Sequence, residues 1–266
     1  MCIRDRFNTI NYEVSDKVAI ITLNRPDQYN AVNSVMSQEL PLAWEKFRED
    51  SSATVGIITG SGAKAFCSGA DLADLPDMND EPGKASLESI RWTSLQNNVW
   101  KPVICAVNGI TCGGGLHFVA DSDIIIASDN ATFFDTHVKV GLVAGLEPVG
   151  LSRKIPLEAV LRMSLVGGGE RMSAQRALQI GLIGEIVTKD KLMERAREVA
   201  DMIKVHSPSA LARTKKAIWH SKEKGLNESL EYAWKLISEQ NVHPDFEEGG
   251  KAFIEKRPPK WKPLDF

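Results

Sequence analysis

Phe66-Cys67-Ser68-Gly69-Ala70-Asp71 and Cys112-Gly113-Gly114-Gly115-Leu116-His117 are the two stretches that decide how this chain is read. Each follows a β-branched, strand-like run and precedes a helix-like one, so each reads as a strand-to-helix turn. Backbone N–H groups at such turns have no partner inside the helix they begin. Two of these donors brought together would hold a developing oxyanion. Phe134-Asp135-Thr136-His137, downstream of the second stretch, adds an imidazole to that of His117. Acid/base groups are wanted beside an oxyanion site.

Outward from these turns, Val18-Ala19-Ile20-Ile21-Thr22-Leu23, Val55-Gly56-Ile57-Ile58-Thr59, Val103-Ile104-Cys105-Ala106-Val107 and Asp123-Ile124-Ile125-Ile126-Ala127 read as strands. Short runs this apolar suit strands covered on both faces, with helices between them. Asn33 is placed to cap a helix running to about residue 50. The first two-thirds therefore reads as an α/β core. The last third is helical. Ser173 caps a helix ended by Gly181, Ser207-Pro208 opens another, and Leu192, Ala196, Val199 and Ile203 keep the helical period. Leu226, Leu230, Ala233 and Ile237 form a further apolar face. No sequence repeat or long linker stands out. The Pro76 to Lys84 stretch reads as a loop beside the first glycine turn.

The 266 residues suffice for a large buried core, divided here into a core over 7–200 and a helical region over 201–266 of the same fold. Residues 1–6 lack periodicity and read as non-native or disordered. Apolar residues at 43%, charged residues at 25% and a net charge of −3 leave no basic stripe, which speaks against nucleic acid as a partner. No run approaches a membrane span, and no secretory signal pattern opens the chain. The four cysteines have neither metal-ligand nor disulfide-framework spacing, so no metal is expected and a cytoplasmic location is. Cys67 and Cys112 adjoin the glycine turns, either as nucleophiles or as small side chains packed under them.

Asn24-Arg25-Pro26 with Asn30-Ala31, Lys64 to Leu72, Lys101 to Gly109, Gly113-Gly114-Gly115, Arg171-Met172-Ser173-Ala174 with Ala177 and Gly181-Leu182, and Phe253 to Arg257 occur in this order. From about residue 10 onward they resemble the enoyl-CoA hydratase/isomerase (crotonase) superfamily. The resemblance implies an α/β spiral of ββα turns with a C-terminal helical trimerisation region, assembled as a homotrimer or a dimer of trimers. It implies an oxyanion hole at the N–H groups of Ala70 and Gly114, where a thioester enolate is stabilised. It implies an acyl-CoA or other enolisable carbonyl substrate, with CoA as part of that substrate and no separate cofactor. CoA would lie across Arg25, Asn30 and Ala31, near Phe66, Cys67, Ser68, Asp71 and Leu72. Phe253 and Lys256 would reach a CoA bound mainly to another subunit, although Lys256 and Arg257 equally suit a solvated basic end.

The chain departs from the pattern at one point. Hydratases of the family carry a glutamate after the glycine triplet and a second one at the spacing that here separates His117 from His137. Two imidazoles, mostly neutral near neutral pH, can accept and donate protons but do not hold water as a carboxylate pair does. His137 reads as the general base. Asp135, Thr136 or Glu147 is placed to fix its tautomer, and Glu147 is the preferred partner, its alternative being a helix-start carboxylate facing the dipole. Trp92 and Trp100 line the acyl pocket or pack in the core. The leading function is hydratase/isomerase-type chemistry on an acyl-CoA thioester through an enolate. The alternatives are C–C bond hydrolysis of a β-diketone by a His/carboxylate dyad, and a non-catalytic scaffold.

Overall fold

The long apolar runs do become strands of one sheet, and the residues between them feed a second, smaller sheet. The structure, a computed structural model, describes residues 7–75 and 90–264. The expectations for residues 1–6 and for the Pro76 to Lys84 loop fall outside the described residues. The six-stranded sheet has the order β1 (Ile10–Ser15), β2 (Val18–Leu23), β3 (Val55–Gly60), β5 (Val103–Val107), β7 (Ile124–Ser128), β10 (Glu185–Val187). Only β1 and β2 pair antiparallel; the remaining neighbours are parallel. The four-stranded sheet has the order β4 (Ala65–Cys67), β6 (Ile110–Cys112), β8 (Thr132–Phe134), β9 (Met172–Ser173), parallel except for β9.

Consecutive strands enter alternate sheets. β5 joins the large sheet, β6 the small one, and the chain then turns into α2 (Leu116–Asp121). β7, β8 and α3 (Leu146–Ser152) repeat the step. Each ββα turn stacks on the last, which is why both sheets are largely parallel and why corresponding turns line up at one place.

Strand periodicity sorts the side chains into two cores. Ala19, Ile21, Leu23, Ile58, Cys105 and Val107 face the larger one, which α1 (Ser34–Glu49) closes with Met36, Leu40, Trp44 and Phe47. Val18, Ile20, Val55, Ile57, Ile104 and Ala106 face the other side, covered by Leu192, Ala196 and Ala200 of α6 (Leu192–Lys204). Every residue of β3 and β5 is buried, as strands covered on both faces require. The expected caps form: Asn33 accepts from the Met36 N–H, Ser173 from Arg176 and Ser207 from Ala210. α4 (Leu157–Val166) and α5 (Ala174–Gln179) complete the core.

α7 (Pro208–His220), α8 (Leu226–Asn241) and α9 (Pro244–Glu255) form the C-terminal layer. α7 is fixed to the sheet through Asp123, which meets Lys215 Nζ at 2.8 Å and accepts from Trp219 Nε1 at 2.7 Å. Leu226, Leu230, Trp234 and Ile237 form an exposed stripe along α8. Among the described residues no helix is long and apolar enough to cross a membrane.

Candidate active site

Both glycine turns arrive at the C-terminal ends of strands of the small sheet, and the fold presses them together. Ala70 bridges Val32 in parallel fashion: the Val32 N–H donates to Gly69 O at 2.8 Å and the Asp71 N–H to Val32 O at 2.9 Å. Such a bridge leaves the N–H of Ala70 itself pointing away from Val32. Its nitrogen lies close to Gly114. A Cβ built on Gly114 would lie 3.5 Å from the Ala70 N, and one on Gly69 would lie 2.9 Å from the Gly114 N. Gly69 also has φ +93°, a conformation that L side chains rarely adopt. The close approach of the two turns depends on both glycines. Among the described residues, neither the Ala70 nor the Gly114 N–H donates to a backbone carbonyl. Two amide groups without a backbone acceptor thus lie close together, beside Trp92, whose Cζ3 would be 2.7 Å from a Gly114 Cβ.

Next to these amides sits a cluster of titratable groups. His117, on α2, is buried, and its Nε2 lies 3.2 Å from Glu147 Oε1 in the first turn of α3. His137, in the turn after β8, has Nδ1 at 3.1 Å and 3.0 Å from the two oxygens of Asp135, which is wholly buried. The backbone N–H of His137 donates to the same carboxylate at 2.8 Å. His137 Nε2 lies 3.8 Å from Glu147 Oε1, and its Cε1 would be 3.5 Å from a Cβ on Gly113. Glu147 therefore stands between the two imidazoles, at the edge of the amide donors. Trp92 packs edge-on to His117 at 5.9 Å and is held by its Nε1 donating to Ser37 Oγ at 2.8 Å.

The electrostatics follow from these contacts. The hydrogen bond to Asp135 lifts His137 above the usual imidazole range; burial works against it and the Glu147 charge adds to it. Burial alone would raise Glu147, but the hydrogen bond and charge of His117, with His137 behind it, hold its carboxyl below the usual range. Glu147 is a carboxylate at neutral pH, and Asp135 fixes the proton of His137 on Nδ1, leaving Nε2 free to accept.

A network of Arg25, Asn30 and Asp71 frames the opposite side. The Arg25 N–H donates to Asn30 Oδ1 at 3.0 Å, its Nη1 to Ala31 O at 2.6 Å, and its Nη2 pairs with Asp71 Oδ2 at 2.9 Å. Asn30 Nδ2 donates to Ser61 O and Ala65 O, both at 2.9 Å. This network ties the loop after β2 to the turn that carries Ala70. Burial opposes ionisation of Asp71, but Arg25 holds its carboxyl below the ordinary range.

Most of the chain matches a known pattern. The family model for enoyl-CoA hydratase/isomerase matches residues 13–263. The chain belongs to the enoyl-CoA hydratase/isomerase family. It is 35% identical to an (E)-benzylidenesuccinyl-CoA hydratase of Thauera aromatica, over 95% of this chain and 98% of the relative. It is 33% identical to a short-chain-enoyl-CoA hydratase of Clostridium acetobutylicum, over 94% and 96% of the two chains. A crystal structure of an enoyl-CoA hydratase/isomerase from Mycobacterium paratuberculosis superposes with a TM-score of 0.89 at 42% identity, covering 97% of this chain and 99% of that one. The spiral of ββα turns is the crotonase fold, and the chain is an acyl-CoA enzyme of the enoyl-CoA hydratase/isomerase type.

Within that family frame, the expected site residues divide. Ala70, Gly114, His117, His137 and Glu147 come together. Glu147, expected to orient His137, does not hold its Nδ1: Asp135 does, because it lies two residues before His137 and its carboxylate turns back on the same loop. Glu147 instead bonds His117. Arg25, Asn30, Ala31 and Asp71 form one network. Phe66 and Cys67 are wholly buried, Phe66 packed edge-on to Phe118, so their side chains belong to the core rather than to a ligand. Ser68 and the exposed Leu72 remain open to one. Phe253 stands exposed near the end of α9, and Lys256 caps that helix; among the described residues no hydrogen bond or ion pair joins either to the Arg25 network. Burial pushes the Cys67 thiol up to about 12 and raises that of Cys112, so the nucleophilic reading of the thiols fails and the packing one stands.

Proposed function

We propose that this enzyme binds an acyl-CoA thioester with its carbonyl oxygen between the Ala70 and Gly114 N–H groups, and moves protons at the α- and β-carbons with Glu147 and the two flanking imidazoles. The observation that carries this reading is the position of Glu147 Oε1, 3.2 Å from His117 Nε2 and 3.8 Å from His137 Nε2. The carboxylate expected at two other positions of the family is supplied here from α3. Two amide donors aimed at the carbonyl oxygen stabilise the enolate by about 3 kcal/mol each. For hydration, water adds its oxygen to the β-carbon while its proton passes to Glu147 or to Nε2 of His137, and that group returns a proton to the α-carbon of the enolate. His137 regains its resting state through the same atom, since Nδ1 is engaged by Asp135. The hydratases among the relatives support this reading of the substrate class. We infer further that copies of the chain associate through the exposed apolar stripe of α8 in the C-terminal layer, as a trimer or dimer of trimers.

The Asp135–His137 pair favours a second reading. An imidazole held by a buried carboxylate can activate water against a ketone, so that the C–C bond of a β-diketone breaks and the enolate leaves into the same pair of amides. An activity panel of enoyl-CoA thioesters and cyclic β-diketones separates the two. The first reading expects hydration of crotonyl-CoA, or exchange of an acyl-CoA α-proton in deuterium oxide, with loss of about a hundredfold or more in Glu147→Gln. Turnover of diketones without either thioester reaction would sink it.

A further inference from the structure

A cavity of about 950 Å³, with His117 in its lining, lies between α2, α3, the segment around Leu95 and the end of α7. If CoA enters across Arg25, the part of the substrate beyond the reacting carbons enters this cavity. Its wall next to His117 is apolar, with Ala120, Leu146 and Val149. Three cations, Arg91, Arg153 and Lys222, share the lining with Gln96, Asn98 and Trp219. Lys222 is held there, its Nζ donating to Arg153 O at 3.1 Å. Among the described residues, the guanidinium groups of Arg91 and Arg153 make no hydrogen bond or ion pair, and both side chains are exposed. Two acids share the lining, Glu223 and Asp121. Asp121 accepts from Thr93 Oγ1 at 2.6 Å, and burial pushes its carboxyl up, which weakens it as a counter-charge. The cavity therefore joins His117 and several apolar side chains to two arginines that have no partner among the described residues. A plain hydrocarbon tail would use the apolar side chains and leave the arginines unmatched; a carboxylate at its end would meet planar forks suited to it.

We propose that the enzyme takes acyl-CoA thioesters whose acyl group ends in a carboxylate, received by Arg91 and Arg153. The proposal rests on the acyl-CoA reading above and adds the class of acyl group. Its test is equilibrium binding of saturated thioesters, which are not turned over: adipoyl-CoA against hexanoyl-CoA, and suberoyl-CoA against octanoyl-CoA. At low ionic strength the dicarboxylic partner of at least one pair binds about tenfold tighter, the ratio shrinks with added salt, and it falls toward one in Arg91→Gln/Arg153→Gln. Equal or weaker binding of both dicarboxylic thioesters, or a preference untouched by the double substitution, overturns the proposal. Failure of the enolate reading is visible separately, as absent hydration and α-proton exchange with the binding preference intact.

Discussion

At the residue scale, the contact to test is the one between Asp135 and His137. The wholly buried carboxylate fixes the Nδ1–H tautomer and raises the pKa of the ring. His137 accepts a proton only in its neutral form, so kcat/KM should rise with pH through a limb above the ordinary histidine value of about 6.5. Asp135→Asn keeps the shape but removes the charge. The limb should move to lower pH, and kcat should fall about a hundredfold or more, because the amide permits the wrong tautomer. A pH–rate profile of the two proteins measures this; a limb that stays in place would mean that another group titrates. The same shift has a consequence for stability. Since the folded pKa is raised, protonated His137 stabilises the fold fully below the unfolded value near 6.5, and the contribution is lost as pH climbs through the folded value.

At the scale of elements, the contact to test is the docking of α7 on the large sheet. Lys215 is buried, paired with Asp123 at 2.8 Å, and donates to Lys101 O at 3.0 Å. Burial lowers the pKa of Lys215, with Asp123 opposing the shift. Asp123 also accepts from the Val103 N–H and from Trp219 Nε1. One carboxylate therefore joins the start of β5, the turn before β7 and the C-terminal layer. Asp123→Ala leaves an ammonium buried without its counter-charge and should cost about 3–5 kcal/mol. Asp123→Ala/Lys215→Met removes both charges and should recover part of that loss. Melting temperatures at one protein concentration check both. A double variant no more stable than the single one would mean that the pair is not coupled.

At the scale of the whole molecule, what could be read in advance depended on length. β2, β3, β5 and β7 were legible because runs of five or six mostly apolar residues suffice to mark a buried strand. β4, β6 and β8 have three residues each, too few to carry a period, so the small sheet was hidden although both glycine turns hang from it. The two glycine turns were legible because glycine is dictated by close backbone approach. The partner of His137 was not, since Asp135 and Glu147 are both near it in sequence and only the path of the loop decides between them. The C-terminal helices were legible as helices, but an apolar stripe on an outer helix fits a core face equally well from sequence. In the structure, Leu226 and Trp234 of α8 are 74% and 67% exposed, and Leu157 and Leu165 of α4 are 62% and 70% exposed. Two separate apolar faces on one chain suit a closed ring of copies, in which one face meets the other, better than a two-fold dimer, which needs only one. The protein should therefore sediment at three or six times 29.3 kDa. Trp234→Glu puts a charge into that contact and should shift the population toward monomer while leaving the helical content unchanged. A wild-type protein that sediments as a monomer at micromolar concentration would rule out the ring.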